Sequence, residues 1–485
     1  APGTTRTFHE VGASRQRRHH RGCGAVHQRT ELTRQTQRDV AESPCRRAHQ
    51  PGAHDAAVEE LRFVVSEREH GHPAHRVTDD HDRALGRRGL TVEPFRAVAG
   101  TLQSGLLRYH HPRRRGDRSR PSGILVGPVL VDVPERVRDR NRERAEHAWM
   151  TDGATRAHGA GDRLRPEEPD AERTCFERDR DRILHSSAFR RLAGKTQVFI
   201  FPDDHQRTRL THALEVAQVA VAIAGALRLN VALTEAIALG HDCGHGPGGH
   251  ASEDALSPYV SEGYDHAVWG ANEVLLPLNL CAETLDGVRN HSWSRPRPAT
   301  PEGLVVSWAD RIAYTAHDFE DAVSAGIVDR SALPQQVAAY GGGVRSGQLR
   351  AFIADVIEVG RSCGVIAMTG QAADALAAFR RFNYDNIYLR PASVAAGNSV
   401  VSILSALVEY YADRPGMLPV DLFGNDATER GQSGARPAAG STEATRAAVR
   451  WVGGMTDRYA CGQALARLGW DPAKLPTGID TLGLR

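Results

Sequence analysis

The sequence predicts an all-α protein, and three observations carry that prediction. From about residue 170 onward, apolar residues recur at three- and four-residue steps, the period of a helix with one buried face. Strand-like alternation is scarce over the same stretch. The periodic runs also open on capping residues and close on glycines, as helices do.

Residues 1 to about 150 have a different texture. They hold 13 of the 23 histidines and no lysine, in clumps such as "RQRRHHR" and "YHHPRRRGDRSRP". They carry 28 Arg against 19 Asp plus Glu, a balance of +9, while the whole chain carries +2. The apolar patches "LRFVVSE" and "GILVGPVLVDV" are too few to offset the entropy of ordering the segment, so it is expected to be disordered or of low order. A basic arm on nucleic-acid phosphate is one role for such a segment. A segment with no part in the chemistry is the other. Of 61 basic residues only Lys195 and Lys474 are lysines, a skew expected of GC-rich coding sequence. Met150 is the first of four methionines, so the natural protein is expected to start at or near it, with residues 1–149 outside it.

The helices follow in order. "THALEVAQVAVAIAGALRL" sets Leu214, Ala217, Val221, Ala224 and Leu227 on one expected buried face. "LTEAIALGHD" is a second helix, with Thr234 as its expected N-cap. Helical runs continue at 303–323, 348–360, 371–382, 398–412 and 442–467, with a polar linker near 424–445. The expected division is a helical core at 170–330 and a C-terminal helical region at 331–485 that completes a ligand pocket and oligomer contacts.

Composition excludes some classes. No apolar run approaches the roughly 18 residues of a membrane helix, the best being Val219 to Leu227. The first 30 residues lack the apolar core of a secretory signal. Seven scattered cysteines without a C-x-x-C pair fit reduced thiols. A soluble cytoplasmic protein is the expectation.

Chemistry concentrates in "GHDCGHGPGGH" at 240–250, where three histidines and an aspartate stand among five glycines and a proline. Glycine lets backbone crowd a ligand, and histidine binds metals and moves protons near neutral pH. His212 begins one helix, His241 and Asp242 end the next, and Asp310 in "VVSWADRIAY" lies on a third. Two imidazoles and two carboxylates suit a divalent cation of intermediate hardness: Mn2+ or Mg2+ first, then Fe2+, Ni2+ or Zn2+, with a structural zinc the poorer fit. A single His-Asp pair is equally a surface histidine beside a capping aspartate, so the ordered set matters.

That set, with "RDRDRILHSSAFRRLAGKTQVF", "RTRLTHALEVAQVA", "HDCGHGPGGHASE", "TPEGLVVSWADRIAYTAHDFEDAVSAGI" and "GGMTDRYA", resembles the deoxyguanosinetriphosphate triphosphohydrolase-like family of the HD superfamily over about 170–465. The resemblance implies an HD-type helical core and hydrolysis of a deoxynucleoside triphosphate to deoxynucleoside and triphosphate. It makes His212, His241, Asp242 and Asp310 the metal ligands. It implies proton transfer by His250 with Glu253, which share a helix face but taken alone could be a surface pair. His245 and His266 fall on the phosphate side. Arg209, one turn before His212, would grip phosphate, although one arginine among 59 can simply be solvated. Tyr314 and Asp318, four and eight residues past Asp310, would meet the deoxyribose, with plain core packing the alternative for Tyr314. Lys195 and Gln197, with Arg190 and Arg191, would contact nucleotide, and spacing does not choose among them. A homo-oligomer, with a hexamer among its forms, and activation by a nucleotide are further implications. This chain departs from the family at Cys243, where leucine is common, and at Gly248, where a larger apolar residue is usual. Two other readings share the four ligands or dispense with turnover: an HD-type phosphomonoesterase or phosphodiesterase, and a non-enzymic nucleotide or single-stranded DNA binder.

Overall fold

Why these residues form helices is visible at their ends. The computed structural model describes residues 145–476 apart from 147, 201–204 and 424–435, so the basic segment 1–144 and half of the expected linker lie outside the described residues. Helix α1 (Cys175–His185) starts on a reciprocal capping box between Thr174 and Glu177. The short α2 (Ser187–Arg191) is capped by Ser186, and α3 (Arg209–Ala226) by Thr208 with Thr211. Helix α4 spans Val231–Gly240. Its cap is Asn230, whose side chain accepts from the Leu233 amide at 3.1 Å, and not Thr234. Thr234 lies inside the first turn, donating to the Asn230 carbonyl at 2.8 Å. Asn230 wins because it occupies the extended backbone position ahead of the turn, where a side-chain oxygen can reach back.

The buried face of α3 keeps Ala217 and Ala224 of the expected one and otherwise departs from it. His212, Ala213, Val216, Ala217, Val219, Ala220, Ile223 and Ala224 face inward, whereas Leu214 is 47% exposed and Val221 and Leu227 are half-buried. Alanines let neighbouring helices approach closely, so the small-residue side packs between α4 and the long α8 introduced below, and the leucines are left to the rim.

The chain continues through α5 (Ala251–Leu256), α6 (His266–Trp269), a π-turn at Gly270–Val274 and α7 (Ala282–Asn290). Helix α8 (Pro301–Ser324) has Thr300 as cap and proline at its first position. Then come α9 (Gln335–Gly341), α10 (Arg345–Cys363), α11 (Gly370–Asn383), a π-turn at Tyr384–Tyr388 and α12 (Pro391–Ala412). The run expected as one helix at 442–467 is two, α13 (Thr442–Gly453) and α14 (Asp457–Leu468). Two consecutive glycines end α13, and Thr456 is the extended cap of α14. Among the described residues there is no strand, only isolated bridges at Arg163–Cys281 and Thr196–Thr208. The fold is all-α, as the sequence predicts.

Two apolar clusters form the interior. One joins α1 to α4 with α8, α10 and α11, and there Ile223, Leu233 and Ile237 are fully buried, each contributing about 1.5–3 kcal/mol. The other joins α5 and α6 to α12, α13 and α14. Packing therefore interleaves the division expected at residue 330: α10 and α11 complete the first cluster, and α5 and α6 belong to the second. One helix, Pro391–Ala412, is long and apolar enough to cross a membrane, contrary to the sequence reading. It is the central helix of the second cluster, with Val400, Ile403, Leu404, Leu407, Val408 and Tyr411 buried and Ser399, Ser402 and Glu409 elsewhere on its surface.

Candidate metal and phosphate site

Helices α3, α4 and α8 pack against one another, and that packing brings four side chains from three separate segments together. His212 sits in the first turn of α3, with Nε2 3.1 Å from Asp310 Oδ1 and 3.8 Å from Asp242 Oδ2. His241 follows the last residue of α4, and its Nε2 lies 3.5 Å from Asp242 Oδ1 and 3.8 Å from Asp310 Oδ1. The opposite nitrogen, Nδ1, lies 2.6 Å from the Ala238 carbonyl, which fixes the ring with Nε2 pointing inward. That buried Nε2 has no hydrogen-bond partner. A buried imidazole nitrogen facing two carboxylates without a hydrogen bond is what a cation ligand presents, so the donor set fits a divalent ion. The ligand atoms of His212, His241 and Asp310 lie within 4.8 Å of one another.

Arg209, at the first position of α3, donates to Asp242 Oδ2 at 2.7 Å and is almost fully buried. Burial alone would raise the Asp242 pKa, but Arg209, His241 and His245 outweigh it and hold the carboxyl well below the usual range. Asp310 is likewise lowered, its burial being overcome by His212 and His241. Both carboxylates are thus anionic before any cation arrives.

A second polar cluster adjoins the first. His245 Nε2 is 3.2 Å from Asp242 Oδ1, and its ring stacks on that of His266 with centroids 3.8 Å apart. Burial, with Arg209 and His266 nearby, pushes the His245 pKa well down, so this ring is neutral. Glu253 hydrogen-bonds His266 Nδ1, while its other oxygen is 3.7 Å from His250 Nδ1. The pair expected as a His250–Glu253 dyad is therefore a triad in which His266 is the tighter partner. The side chain of His250 is 74% exposed.

His291 is the residue that sequence reasoning missed. Its Nε2 lies 3.2 Å from His266 Nε2, and it groups with His241 and Asp242 as a possible ligand. It ends α7 as His241 ends α4, with Nδ1 2.8 Å from the carbonyl three residues back. A histidine closing a helix, as His241 does, was the available signal. Burial, His241 and His266 lower its pKa to about 3, leaving it neutral.

On the other side of Asp310, Tyr314 accepts from Arg380 Nε at 2.9 Å and Asp318 accepts from Tyr388 at 2.5 Å. Burial raises the Asp318 pKa to about 7, against the opposing effects of Tyr388 and His212. Arg311 lies over the Trp293 ring at 3.7 Å. Neither Arg380 nor Tyr388 carried a sequence signal, because α11 and the π-turn reach the site only through packing. Lys195 is placed differently from its expected nucleotide contact. It is buried and donates to the carbonyls of His245 and of Gly453, the latter at 3.1 Å, and burial lowers its pKa to about 7. Gln197 is half-buried, with Oε1 lacking a partner. Arg190 is exposed and donates to the His185 carbonyl, and Arg191 reaches Ser187 at 3.4 Å.

Comparison with known proteins gives an HD domain at residues 209–315 and a phosphohydrolase-associated domain at 366–464. The chain is 37% identical over 325 residues to a deoxyguanosinetriphosphate triphosphohydrolase-like protein of Caldanaerobacter subterraneus, covering 66% of this chain and 92% of that one. It is 39% identical over 316 residues to one of Clostridium perfringens, covering 62% and 89%. Among solved structures, a phosphohydrolase from Bacteroides thetaiotaomicron matches with a TM-score of 0.34 at 17% identity, over 60% of this chain and 68% of that one.

Proposed function

Given that this chain belongs to the deoxyguanosinetriphosphate triphosphohydrolase-like family of HD-domain phosphohydrolases, we propose that it hydrolyses a deoxynucleoside triphosphate, dGTP-like in kind, to deoxynucleoside and inorganic triphosphate. One observation supports the reading: His212, His241, Asp242 and Asp310, the ligands in this proposal, adjoin the cluster His245, His250, Glu253 and His266, with His245 Nε2 3.2 Å from Asp242 Oδ1. A divalent cation bound by the first four, Mn2+ or Mg2+ in this reading, supplies Lewis-acid stabilisation of charge on the α-phosphate. Arg209 adds a fixed positive charge beside Asp242 and next to the glycine-rich loop. Neutral His245 has a nitrogen to offer phosphate without a competing charge. His250, exposed and backed by Glu253, is placed to hand a proton to the departing sugar oxygen or to take one from water. Tyr314 and Asp318 lie on the α8 face beyond Asp310, where a sugar lacking its 2′-hydroxyl packs closely. In the same reading the chain works in the cytoplasm as a homo-oligomer under nucleotide activation.

A panel of deoxynucleoside triphosphates with Mn2+ or Mg2+, followed by separation of the phosphate products, tests the proposal. Triphosphate supports it. Orthophosphate or pyrophosphate refutes it in favour of a phosphomonoesterase or diesterase, and binding without turnover refutes it in favour of a nucleotide or single-stranded DNA binder.

A further inference from the structure

The motif "GGMTDRYA" at 453–460 lies 209 residues beyond the glycine-rich loop, yet the two are directly bonded. Asp457 opens α14 and is buried. Its Oδ1 accepts from the Gly248 amide at 2.8 Å, and its Oδ2 accepts from the Thr196 amide at 2.9 Å and the Thr196 hydroxyl at 2.5 Å. Lys195 makes a second tie between the same parts, donating to the carbonyls of His245 and Gly453. The remaining anchors of the loop are more local: Tyr264 donates to the Gly244 carbonyl at 2.8 Å, and Ser252 accepts from the Gly246 amide at 2.9 Å. Thr196 is itself fixed to the start of α3, through its bridge to Thr208 and through the Arg209 amide, which donates to the Lys195 carbonyl at 3.2 Å. One carboxylate therefore joins the loop that carries His245 and His250 to the segment that carries Arg209.

We propose that Asp457 is a positioning residue for hydrolysis: without touching substrate, it sets the 244–250 loop against Arg209 so that His245 and His250 stand at the distances the reaction needs. The loop is where such a device has most effect. Gly248 and Gly249 have φ of +73° and +64°, a conformation available to glycine and therefore lost with the least resistance once its anchor is cut. His241 and Asp242 are spared, since they continue from α4 and are held by its packing. A displacement of about 1 Å in a proton-transfer group costs on the order of 10²-fold in rate. The proposal rests on the triphosphohydrolase reading for its substrate but not for its geometry.

Asp457→Asn tests it, because the amide keeps the size but offers one acceptor where two serve three donors. Three readouts are compared with the parent: bound Mn2+ per chain, kcat and KM with the best deoxynucleotide, and backbone hydrogen exchange of peptides covering 231–240 and 244–250. The expected result is unchanged metal content and unchanged exchange in 231–240, at least tenfold faster exchange in 244–250, and kcat per bound metal lower by about 10- to 100-fold with KM within threefold. Thr196→Val removes only the hydroxyl bond and should give a smaller loss of the same kind, while Thr196→Ser should match the parent. Unchanged exchange in 244–250 overturns the proposal, as does faster exchange with kcat intact. Metal, 231–240 protection and activity falling together also overturn it, in favour of a general loss of fold. Should Asp457→Asn not fold, Thr196→Val decides by the same readouts. A parent that hydrolyses no deoxynucleotide refutes the functional reading instead, and the exchange result still decides whether Asp457 holds the loop.

Discussion

At the residue scale the two clusters should respond differently to truncation. Asp242→Ala removes the anion that faces Arg209, His212 and His241, so bound metal and hydrolysis should both be lost, as metal analysis and assay would show. His250 is exposed and outside the ligand set, so His250→Ala should keep metal and nucleotide affinity while kcat falls by roughly 10² to 10⁴. A parallel fall in affinity with kcat intact would make His250 a binding residue. Asp318 gives a pH prediction. Its folded pKa of about 7 lies above the roughly 3.9 of an unfolded aspartate, so its contribution to stability is full below about pH 4 and is lost as pH rises through 7. In metal-free protein, Asp318→Asn should therefore match the parent's unfolding free energy near pH 4 and exceed it at pH 8 by an amount on the order of 1–3 kcal/mol, with Tm raised to match. Parallel Tm profiles would mean that the buried carboxyl is not neutral.

At the element scale the packing of the glycine-rich loop explains why small residues follow His241 and Asp242. Gly248 takes a positive φ of +73°, and a Cβ there would come within 2.6 Å of Val400 Cγ1 on α12. The departure from the larger apolar residue usual in the family fits this packing, because Val400 fills the space from the opposite helix. Gly248→Ala should destabilise the protein by about 1–3 kcal/mol through strain and overpacking. Adding Val400→Ala should recover only the steric part, which a double-mutant cycle of thermal or urea unfolding would measure. Full additivity would show that the two sites do not meet. The split of 442–467 into α13 and α14 belongs to this scale too, since it places Asp457 at a helix start beside the loop.

At the scale of the whole molecule, the site sits where the two apolar clusters meet. Helices α3, α4 and α8 of the first carry or lead into the proposed ligands, and α5 and α6 of the second carry Glu253 and His266. Loosening either cluster should therefore impair turnover. A chain starting at Met150 is expected to fold, bind one cation and show the parent's kcat/KM, because the described contacts of the site all lie beyond residue 150. The Ala157 amide would lose its 3.3 Å bond to Glu146, a cost of about 1 kcal/mol at a part-buried position. Lost activity in the shortened chain would instead assign the preceding segment a role.

The sequence by itself determined the helical class, the order of the long helices and where along them His212, His241, Asp242 and Asp310 fall. Helical periodicity is local, and His212, His241, Asp242 and Asp310 are fixed to helix ends or helix turns that the chain specifies over a few residues. Tertiary structure alone decided the rest. It chose the alanine side of α3 over the leucine stripe, because two helices compete for that face. It gave Glu253 to His266 rather than to its neighbour in sequence, turned Lys195 toward backbone carbonyls, and brought in His291, Arg380, Tyr388 and Asp457 from distant elements. The physical reason is that a buried polar group takes whichever partner the packing places within about 3 Å, and separation along the chain does not limit that choice.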